Sequence, residues 1–359
     1  MQKIISANLG RRFAIAATAW LAFASPTFAS TLYVPLGNAD AILVLDADRD
    51  VAIGRVGEVP EVHGLAATRD GRYLVAGSYR ARPLTEAAPP KPEAVTEEEH
   101  AAHHAKPVIG ARQSIPMVST LSIIDTEKKE SIRRIDVPGA VHHVAVSPDG
   151  RLAAVTHPND GAISVLDLSS YTLVATLSTG PLPNYAVFAP DGQRLYVSNA
   201  GNGTISDVDT SRWIVSRNVI VGNSPEHVVL SKDGSRLYVN NVEDGTVSIV
   251  ATDQGKVVKT IAVGSTLHGI DLSDTDEVLF VAIQGDDKIA AINLGTGTVR
   301  EIHLAPDPYH LIVVPGKGKM YVSSASEPKV WVVDQATLNV VNEIEIDGKG
   351  HQMVLAPGS

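Results

Sequence analysis

Pro225–Asn241 reads PEHVVLSKDGSRLYVNN and contains two short apolar runs, Val228–Leu230 and Leu237–Val239, that are joined through Asp233–Gly234. Two β-rich runs that meet at an Asp-Gly pair are the strongest short-range signal of a β-hairpin. We expect a tight turn in which both central residues have positive φ, because Gly adopts that conformation freely and Asp tolerates it. The stretch therefore predicts two antiparallel strands.

The same hairpin recurs along the chain. Asp-Gly pairs that begin at Asp149, Asp191 and Asp233 lie 42 residues apart, and Asp70–Gly71 is an earlier copy that is followed by an insertion. The hairpins are followed by a third apolar run that ends near an Asp and by a fourth that ends near a Gly. Four short strands in every roughly 40–45 residues are typical of the blade of a β-propeller.

Counting these units predicts an all-β protein, a seven-bladed β-propeller. The first blade has only three strands of its own, Leu32–Leu36, Ala41–Asp46 and Val51–Val56. The last residues, His351–Pro357, are expected to complete it as its innermost strand, which would close the ring and leave no free sheet edge at the seam. The other six blades are Glu61–Gly139, Ala140–Gly180, Pro181–Gly222, Asn223–Gly264, Ser265–Asp307 and Pro308–Gly350.

Several strands share the pattern Leu/Met-Tyr-Val. It occurs at Leu32–Val34, Leu195–Asn199, Leu237–Asn241 and Met320–Ser324. The pattern resembles the YVTN repeat of exported, YncE-like seven-bladed β-propellers, a family related in fold to the haem propeller of nitrite reductases and the copper propeller of nitrous oxide reductase. The resemblance spans essentially all of the mature chain and implies a fold, but little about function, since propellers host unrelated activities.

The N-terminal segment 1–29 is predicted to be a secretory signal peptide that is removed after Ala29. The remaining residues, 30–359, would then form one propeller domain in the periplasm, with no membrane span after cleavage. Arg11–Arg12 leaves twin-arginine export open, although an ordinary basic region is favoured. Its basic start contains Lys3, Arg11 and Arg12, and its apolar core is Phe13–Ala24. The small residues of the cleavage site are at Thr27–Ala29.

Charge and composition limit the partners. The net charge is −10, and removal of the basic signal peptide makes the mature chain still more acidic. An acidic surface argues against nucleic acid as a partner and is mildly favourable for attracting metal cations. The chain has no Cys, which excludes disulfides, thiolate metal ligands and the attachment motif of c-type haem.

Aligning the blades on the hairpin turn brings the histidines into register at the start of the innermost strands. Seven of the 12 His fall into two adjacent positions, and six of the seven blades contribute at least one of them. We call these positions the first and the second column. In blade order, the first column is His351, His63, His142, Asn184, Glu226, His268 and Tyr309. The second column is Gln352, Gly64, His143, Tyr185, His227, Gly269 and His310.

The innermost strands surround the central opening of a propeller, and their starts all lie at one mouth. The repeat therefore predicts a ring of His at that mouth, with Glu226 as an added carboxylate. Neighbouring side chains of a strand point in opposite directions, so the two columns are not equivalent, and which one faces the opening stays open. A His at such a position can also simply hydrogen-bond to a loop backbone, and six His-bearing blades favour the functional interpretation.

The insertion, residues 81–114, is the second feature. Its EAVTEEEHAAHHA segment begins after a Pro-rich stretch and is predicted to form a short helix. His100, His103 and His104 would share one face of it, and pairs of His at i, i+4 can chelate a divalent cation. The insertion leaves its blade after the second strand, which places it at the predicted His mouth, although a mobile acidic loop with incidental His is an equal alternative.

These patterns favour binding of a zinc or copper ion for storage or delivery, with a periplasmic transporter or metalloenzyme as a possible recipient. One alternative is a metal-dependent lyase or oxidoreductase, or a haem-handling protein, at the same mouth. The other is a scaffold that binds a protein or an envelope polymer. The predicted metal ligands are His63, His142, His143, His227, His268, His310 and His351 in the ring, and His100, His103 and His104 in the arm.

Overall fold

A computed structural model of the chain describes residues 30–86 and 116–356. These residues form seven antiparallel sheets, six with four strands and one, that of blade 2, with five, and the described part of the chain contains no α-helix. The seven-bladed β-propeller predicted from the repeat is confirmed. The predicted signal peptide, 1–29, and the three His of the arm, His100, His103 and His104, lie outside the described residues.

The strands of blades 1 and 2 are β1 (Thr31–Leu36), β2 (Ala41–Asp46), β3 (Val51–Val56), β4 (Val62–Ala67), β5 (Tyr73–Ser78), β6 (Arg82–Pro83), β7 (Met117–Asp125) and β8 (Glu130–Pro138). Those of blades 3 and 4 are β9 (Val144–Val146), β10 (Leu152–His157), β11 (Ala162–Asp167), β12 (Thr172–Ser178), β13 (Pro183–Phe188), β14 (Arg194–Asn199), β15 (Thr204–Asp209) and β16 (Ile214–Ile220).

Blades 5 and 6 contain β17 (Pro225–Leu230), β18 (Arg236–Asn241), β19 (Thr246–Ala251), β20 (Lys256–Ala262), β21 (Leu267–Leu272), β22 (Val278–Ile283), β23 (Lys288–Asn293) and β24 (Val299–His303). Blade 7 contains β25 (Pro308–Val314), β26 (Lys319–Ser324), β27 (Lys329–Asp334) and β28 (Val340–Glu345), and β29 (Val354–Ala356) ends the described chain. Short 3₁₀ turns span Gly37–Ala39, Pro158–Asp160 and Gln284–Asp286.

The ring is closed as predicted, by pairing of the chain ends. Strand β29 lies antiparallel to β1, with Leu355 opposite Leu32, and becomes the innermost strand of blade 1. The strand is shorter than the predicted His351–Pro357, since its ladder begins at Val354. His351 is held instead by its backbone N–H, which donates to the carbonyl of Pro35 at 3.0 Å. The seam therefore joins the N-terminal and C-terminal segments in one sheet.

The geometry expected for the Asp-Gly turns is wrong. In blade 5 the N–H of Gly234 donates to the carbonyl of Ser231 at 2.8 Å, so Asp233 is the third residue of the turn and Gly234 the fourth. Only Gly234 has positive φ, at 73°. The Asp233 carboxylate accepts from the Ser231 hydroxyl at 2.6 Å and from the Ser235 N–H at 2.9 Å. These bonds stabilise a five-residue loop in which Asp keeps an ordinary conformation.

The apolar core lies between neighbouring blades. Seven clusters of buried side chains combine residues of adjacent sheets, such as Leu32 of β1 with Val332 of β27. Polar bonds join blades as well, since the buried Tyr321 hydroxyl donates to Asp50 of blade 1. Burial of apolar surface contributes about 25 cal/mol per Å², so the blade interfaces hold the ring together. None of the helices in the described ranges is long and apolar enough to cross a membrane.

Candidate functional site: a histidine layer at the central opening

All seven His of the two columns lie at the central opening and are buried. Their rings form one continuous series of contacts with Tyr185 and Tyr309. In order around the opening the series is His142, His63, His351, Tyr309, His268, His227, Tyr185 and His143, and its ring centroids are between 3.5 and 5.9 Å apart. His310 joins it through contacts with His227 at 4.9 Å and with His268 at 4.6 Å.

The two columns occupy different levels. Side chains of the second column line a central cavity of about 470 Å³ that the innermost strands enclose, and those of the first column do not. The second column therefore faces the axis, while the first column forms the layer at the mouth. This answers the question that the alternation of side chains along a strand left open. The cavity-lining members are His143, Tyr185, His227, Gly269, His310 and Gln352.

One side of the second column is closed by hydrogen bonds, and we call Gln352, His143 and Tyr185 the closed side. The Gln352 amide lies 2.7 Å from Nε2 of His143 and 3.1 Å from the hydroxyl of Tyr185. The Ala186 N–H donates to Nδ1 of His143 at 3.1 Å, and the Tyr185 ring stacks on the imidazole with centroids 3.5 Å apart. Because Nδ1 accepts, Nε2 carries the proton of the neutral ring and faces the side-chain amide of Gln352.

Burial fixes the charge state of this side. It lowers the pKa of His143 well below its ordinary value, and the neighbouring His227 and His63 lower it further. Burial likewise raises the pKa of Tyr185. Both rings are therefore neutral at physiological pH, and their polar atoms are engaged with protein groups. His143 was predicted as a metal ligand, and here both of its ring nitrogens contact protein groups of the closed side, so its role as a ligand stays a prediction.

The opposite side brings three predicted ligands together, and we call His227, His268 and His310 the His trio. They come from consecutive blades, and one ring nitrogen of each lies within 4.8 Å of the other two. All three side chains are buried. Three imidazoles around a zinc ion have nitrogens about 3.3 Å apart at ordinary bond lengths, which lies within the upper limit of 4.8 Å found here. The arrangement can therefore hold a metal ion and leave a fourth position for water or another ligand.

Two glycines of the second column make room for these groups. A Cβ at Gly269 would lie 2.5 Å from the Leu311 nitrogen and 2.6 Å from the Tyr309 carbonyl oxygen, so blade 7 packs directly against the bare backbone of blade 6. Because blade 6 has no side chain in the second column, the rings of His227 and His310 approach across it. Gly64 has the corresponding place on the closed side, where a Cβ would lie 2.9 Å from the backbone of His143.

Two of the other predicted ring ligands, His63 and His142, bond to backbone. His63 donates through Nδ1–H to the carbonyl of His142 at 2.8 Å, and His142 donates in the same way to the carbonyl of Asn184 at 3.1 Å. His351 packs against His63 with ring centroids 4.6 Å apart. Each of these bonds joins one blade to the next, which is the structural role that the sequence left as the alternative. The three remain in the mouth layer, next to the His trio but not part of it.

Two further His stand apart from the layer. His157, at the end of β10, is buried and donates from Nδ1 to the carbonyl of Ala140 at 3.2 Å. Burial lowers its pKa, so it is a neutral structural group. His303 ends the outermost strand β24 and is exposed. The insertion leaves its blade at the mouth, because the end of β5 lies opposite the start of the innermost strand β4, with Ser78 paired with Val62. The short β6 then pairs with the start of β7, with Arg82 opposite Val118.

Two carboxyl groups belong to the same region. Glu226, predicted from the first column, is half-buried, and burial together with the charge of Glu243 raises its pKa to about 7. Asp271 was not among the residues predicted from the sequence. It lines the cavity two residues beyond Gly269, and burial raises its pKa to about 6. The signal was present, because LHGIDL places an acid in a strand position that other blades fill with Ala, Val or Ile.

The fold is shared with known proteins. The model of the lactonase seven-bladed β-propeller family matches residues 151–318, slightly less than half of the chain. The periplasmic gluconolactonase PpgL of Pseudomonas aeruginosa is 16% identical, with 91% of this chain and 99% of that chain covered and a TM-score of 0.67. No curated protein matches the chain. The expected fold is thereby supported, and the YVTN-repeat assignment stays a prediction.

Two other similar structures are a hydrazine synthase and a dihydro-haem d1 dehydrogenase. Hydrazine synthase of Kuenenia stuttgartiensis is 16% identical, with 80% of this chain and 87% of that chain covered and a TM-score of 0.63. Dihydro-haem d1 dehydrogenase NirN, determined in complex with DHE, is 15% identical with a TM-score of 0.62. For NirN, the alignment covers 88% of this chain and 63% of the other chain. At such identities the likeness shows the propeller fold alone.

Proposed function

We propose that this protein binds a divalent transition-metal ion, zinc or copper, at the His trio, for storage or delivery in the periplasm. The observation that carries the proposal is the convergence of one ring nitrogen from each of His227, His268 and His310 within 4.8 Å. Neutral imidazole is a good ligand for both ions, and the chain has no Cys to offer a softer site.

The surroundings support an exchangeable site. Three protein ligands leave one position open, which is typical of metal sites that react or exchange, whereas structural zinc sites have four protein ligands. Glu226 belongs to the mouth layer next to His268 in blade order, and a carboxylate there would favour a cation. A recipient such as a transporter or metalloenzyme would take the ion from the open position.

The experiment is zinc and copper titration by calorimetry with a competing chelator, on the full mature chain. Replacing His227, His268 and His310 together by Ala should weaken zinc binding at least about 100-fold, because the ligands themselves are removed. The matched control replaces His63, His142 and His351, three equally buried His of the same layer, and should keep the affinity within about threefold. Circular dichroism checks that both variants fold.

Three results decide between the alternatives. Loss of zinc only in the trio variant supports the proposal. Equal loss in both variants contradicts the assignment to the trio, and binding by both at the level of the wild type makes the layer structural. In that last case the chain is a scaffold for a protein or envelope partner.

A hydrolytic use of the same mouth is a second candidate. It is favoured by the match to the lactonase family over residues 151–318 and by Glu226, whose pKa of about 7 suits a general base. Gluconolactone hydrolysis, measured with and without zinc on the wild type and on Glu226→Gln, tests it. A rate equal to that of the uncatalysed reaction would exclude this use for that substrate.

Haem handling is the remaining alternative at this mouth. It is supported by the likeness in fold to NirN, a protein named for dihydro-haem d1, and by the number of imidazoles in the layer. Titration with haem, followed by the Soret absorbance, separates it from metal binding. A Soret shift that disappears in the trio variant would favour haem as the ligand of the His trio, and an unchanged spectrum would exclude binding of the haem used.

A further inference from the structure

The cavity below the histidine layer connects the His trio to the far face of the propeller. Two members of the trio, His227 and His310, line it, so the proposed metal centre faces the axis as well as the mouth. The cavity has a volume of about 470 Å³ and extends to Pro148, Pro190 and Lys232, which belong to hairpin loops at the opposite face. A hydrated ion is small compared with this space.

The wall of the cavity is apolar at the level where Asp271 lies. Counting three residues beyond the first column in every blade gives the positions of this level. Six of the seven are aliphatic, namely Val354, Ala66, Ala145, Val187, Val229 and Ile312, and all of these line the cavity. Asp271 is the seventh. Since an isolated charge is costly in an apolar wall, a carboxylate here needs either a structural partner or a function.

Asp271 has structural partners, and they hold it in one orientation. Its Oδ2 accepts from the N–H of Val313 in blade 7 at 2.8 Å, and its Oδ1 accepts from the N–H of Leu272 at 2.8 Å. Each carboxylate oxygen can accept more than one bond, so capacity toward the cavity is left. Asp271 lies two residues from Gly269, which places it about 6–7 Å along the strand from the level of His227 and His310.

We propose that the axial cavity is the route by which a divalent cation reaches and leaves the His trio, with Asp271 as a transient ligand on the way. This inference rests on the proposed function, since it needs a metal at the trio. His227 and His310 border the cavity, while the closed side across the axis directs its polar atoms at one another. A carboxylate halfway along an apolar passage lowers the cost of moving a divalent charge through it.

The simpler interpretation is that Asp271 only joins blades 6 and 7 through the Val313 N–H. An Asn at this position keeps one oxygen for the bond from the Val313 N–H, gives up the bond from the Leu272 N–H and loses the negative charge. The substitution Asp271→Asn therefore separates the two interpretations, because a merely structural group has no effect on the rate of metal exchange. Glu277→Gln, which removes an exposed carboxylate from the same blade, is the matched control.

The experiment is stopped-flow transfer of zinc between the full mature chain and a chromogenic chelator, in both directions. Asp271→Asn should slow both loading and release at least tenfold and leave the equilibrium affinity within about twofold. Val229→Phe, which narrows the cavity at the same level without changing charge, should slow both rates as well. Glu277→Gln should exchange zinc as the wild type does.

Other outcomes overturn the inference in distinguishable ways. Wild-type rates in both Asp271→Asn and Val229→Phe would mean that the cation crosses the mouth layer instead. A fall in affinity with unchanged loading would make Asp271 a ligand of the bound ion and not part of a route. If the wild-type chain itself binds no zinc or copper, the proposed function and the route fail together, whereas loss of binding in the trio variant alone leaves the proposed function standing whatever the rates show.

Discussion

The two sides of the central opening start from similar residues and reach opposite results. On the closed side, His143, Tyr185 and Gln352 direct their polar atoms at one another. In the His trio, the ring nitrogens of His227, His268 and His310 converge on a common point. Each side has a glycine between its blades. The difference shows that His in equivalent positions of different blades can meet different groups across the axis, and only in the His trio are those groups other imidazoles.

Deletion of His351–Ser359 is the strongest disturbance of this comparison, because it removes Gln352 from the closed side together with β29. The unpaired edge of β1 and the lost packing should lower the free energy of unfolding by several kcal/mol. Urea denaturation followed by circular dichroism measures the change. A truncated chain with the same denaturation midpoint as the full chain would show that β29 does not close the ring.

The two glycines allow the sides to be disturbed separately. Gly269→Ala and Gly64→Ala each force a Cβ into neighbouring backbone and should each cost about 1–3 kcal/mol of stability. Only Gly269→Ala displaces the strand that carries His310, so only it should weaken zinc binding, by about tenfold or more. Thermal denaturation and zinc titration of the pair test this, and equal effects on zinc would show that the two sides are not independent.

Gln352→Ala removes the centre of the closed side and leaves the trio intact. It breaks contacts to His143 and Tyr185 and leaves both groups without this buried partner, which should cost about 1–2 kcal/mol. Zinc affinity should not change. Gln193→Ala, at an exposed turn position, is the control and should change stability by less than about 0.5 kcal/mol. A large loss of zinc binding in Gln352→Ala would mean that the closed side positions the trio.

The smallest expected effect concerns Asp271, which lies below the opening. Its native pKa of about 6 is above the ordinary value of 3.8, so the native state holds this proton more tightly than the unfolded chain does. The resulting stability is fully present below about pH 4 and is lost as the pH rises through 6. Asp271→Asn should therefore gain about 1 kcal/mol relative to the wild type between pH 5 and pH 7. Melting temperatures across this range measure the gain, and a difference that does not vary with pH would mean that the native pKa of Asp271 is not raised.

The number of blades and the ring closure could be predicted because both depend on local, repeated chemistry. The Asp-Gly pairs recur at a fixed interval, and the split of the first blade between the two ends of the chain is visible in the alternating pattern alone. The geometry of the Asp-Gly turn, in contrast, was predicted wrongly. The Asp233 side chain accepts from Ser231 and Ser235, and those two bonds favour a longer loop over the two-residue turn.

The histidine columns were also visible in the sequence, and all three members of the His trio stood in them. The sequence could not tell these His apart, because His143 and His227 occupy the same position in their blades. The surroundings of the two His differ because Gln352 contacts His143 across the opening. Gln352 is far from His143 along the chain, so the repeat does not reveal this contact. Asp271 was readable as a break in an apolar pattern, and only the structure shows that it lines a cavity.

The sequence by itself determined the seven-bladed β-propeller, its closure by the two chain ends and the register that gathers seven His at one mouth, because a repeated unit places equivalent residues at equivalent positions. The tertiary structure alone decided which His meet. Contacts across the axis join residues of different blades, and their distances depend on how closely the blades pack at Gly64 and Gly269. That packing is a property of the closed ring, so no single repeat contains it.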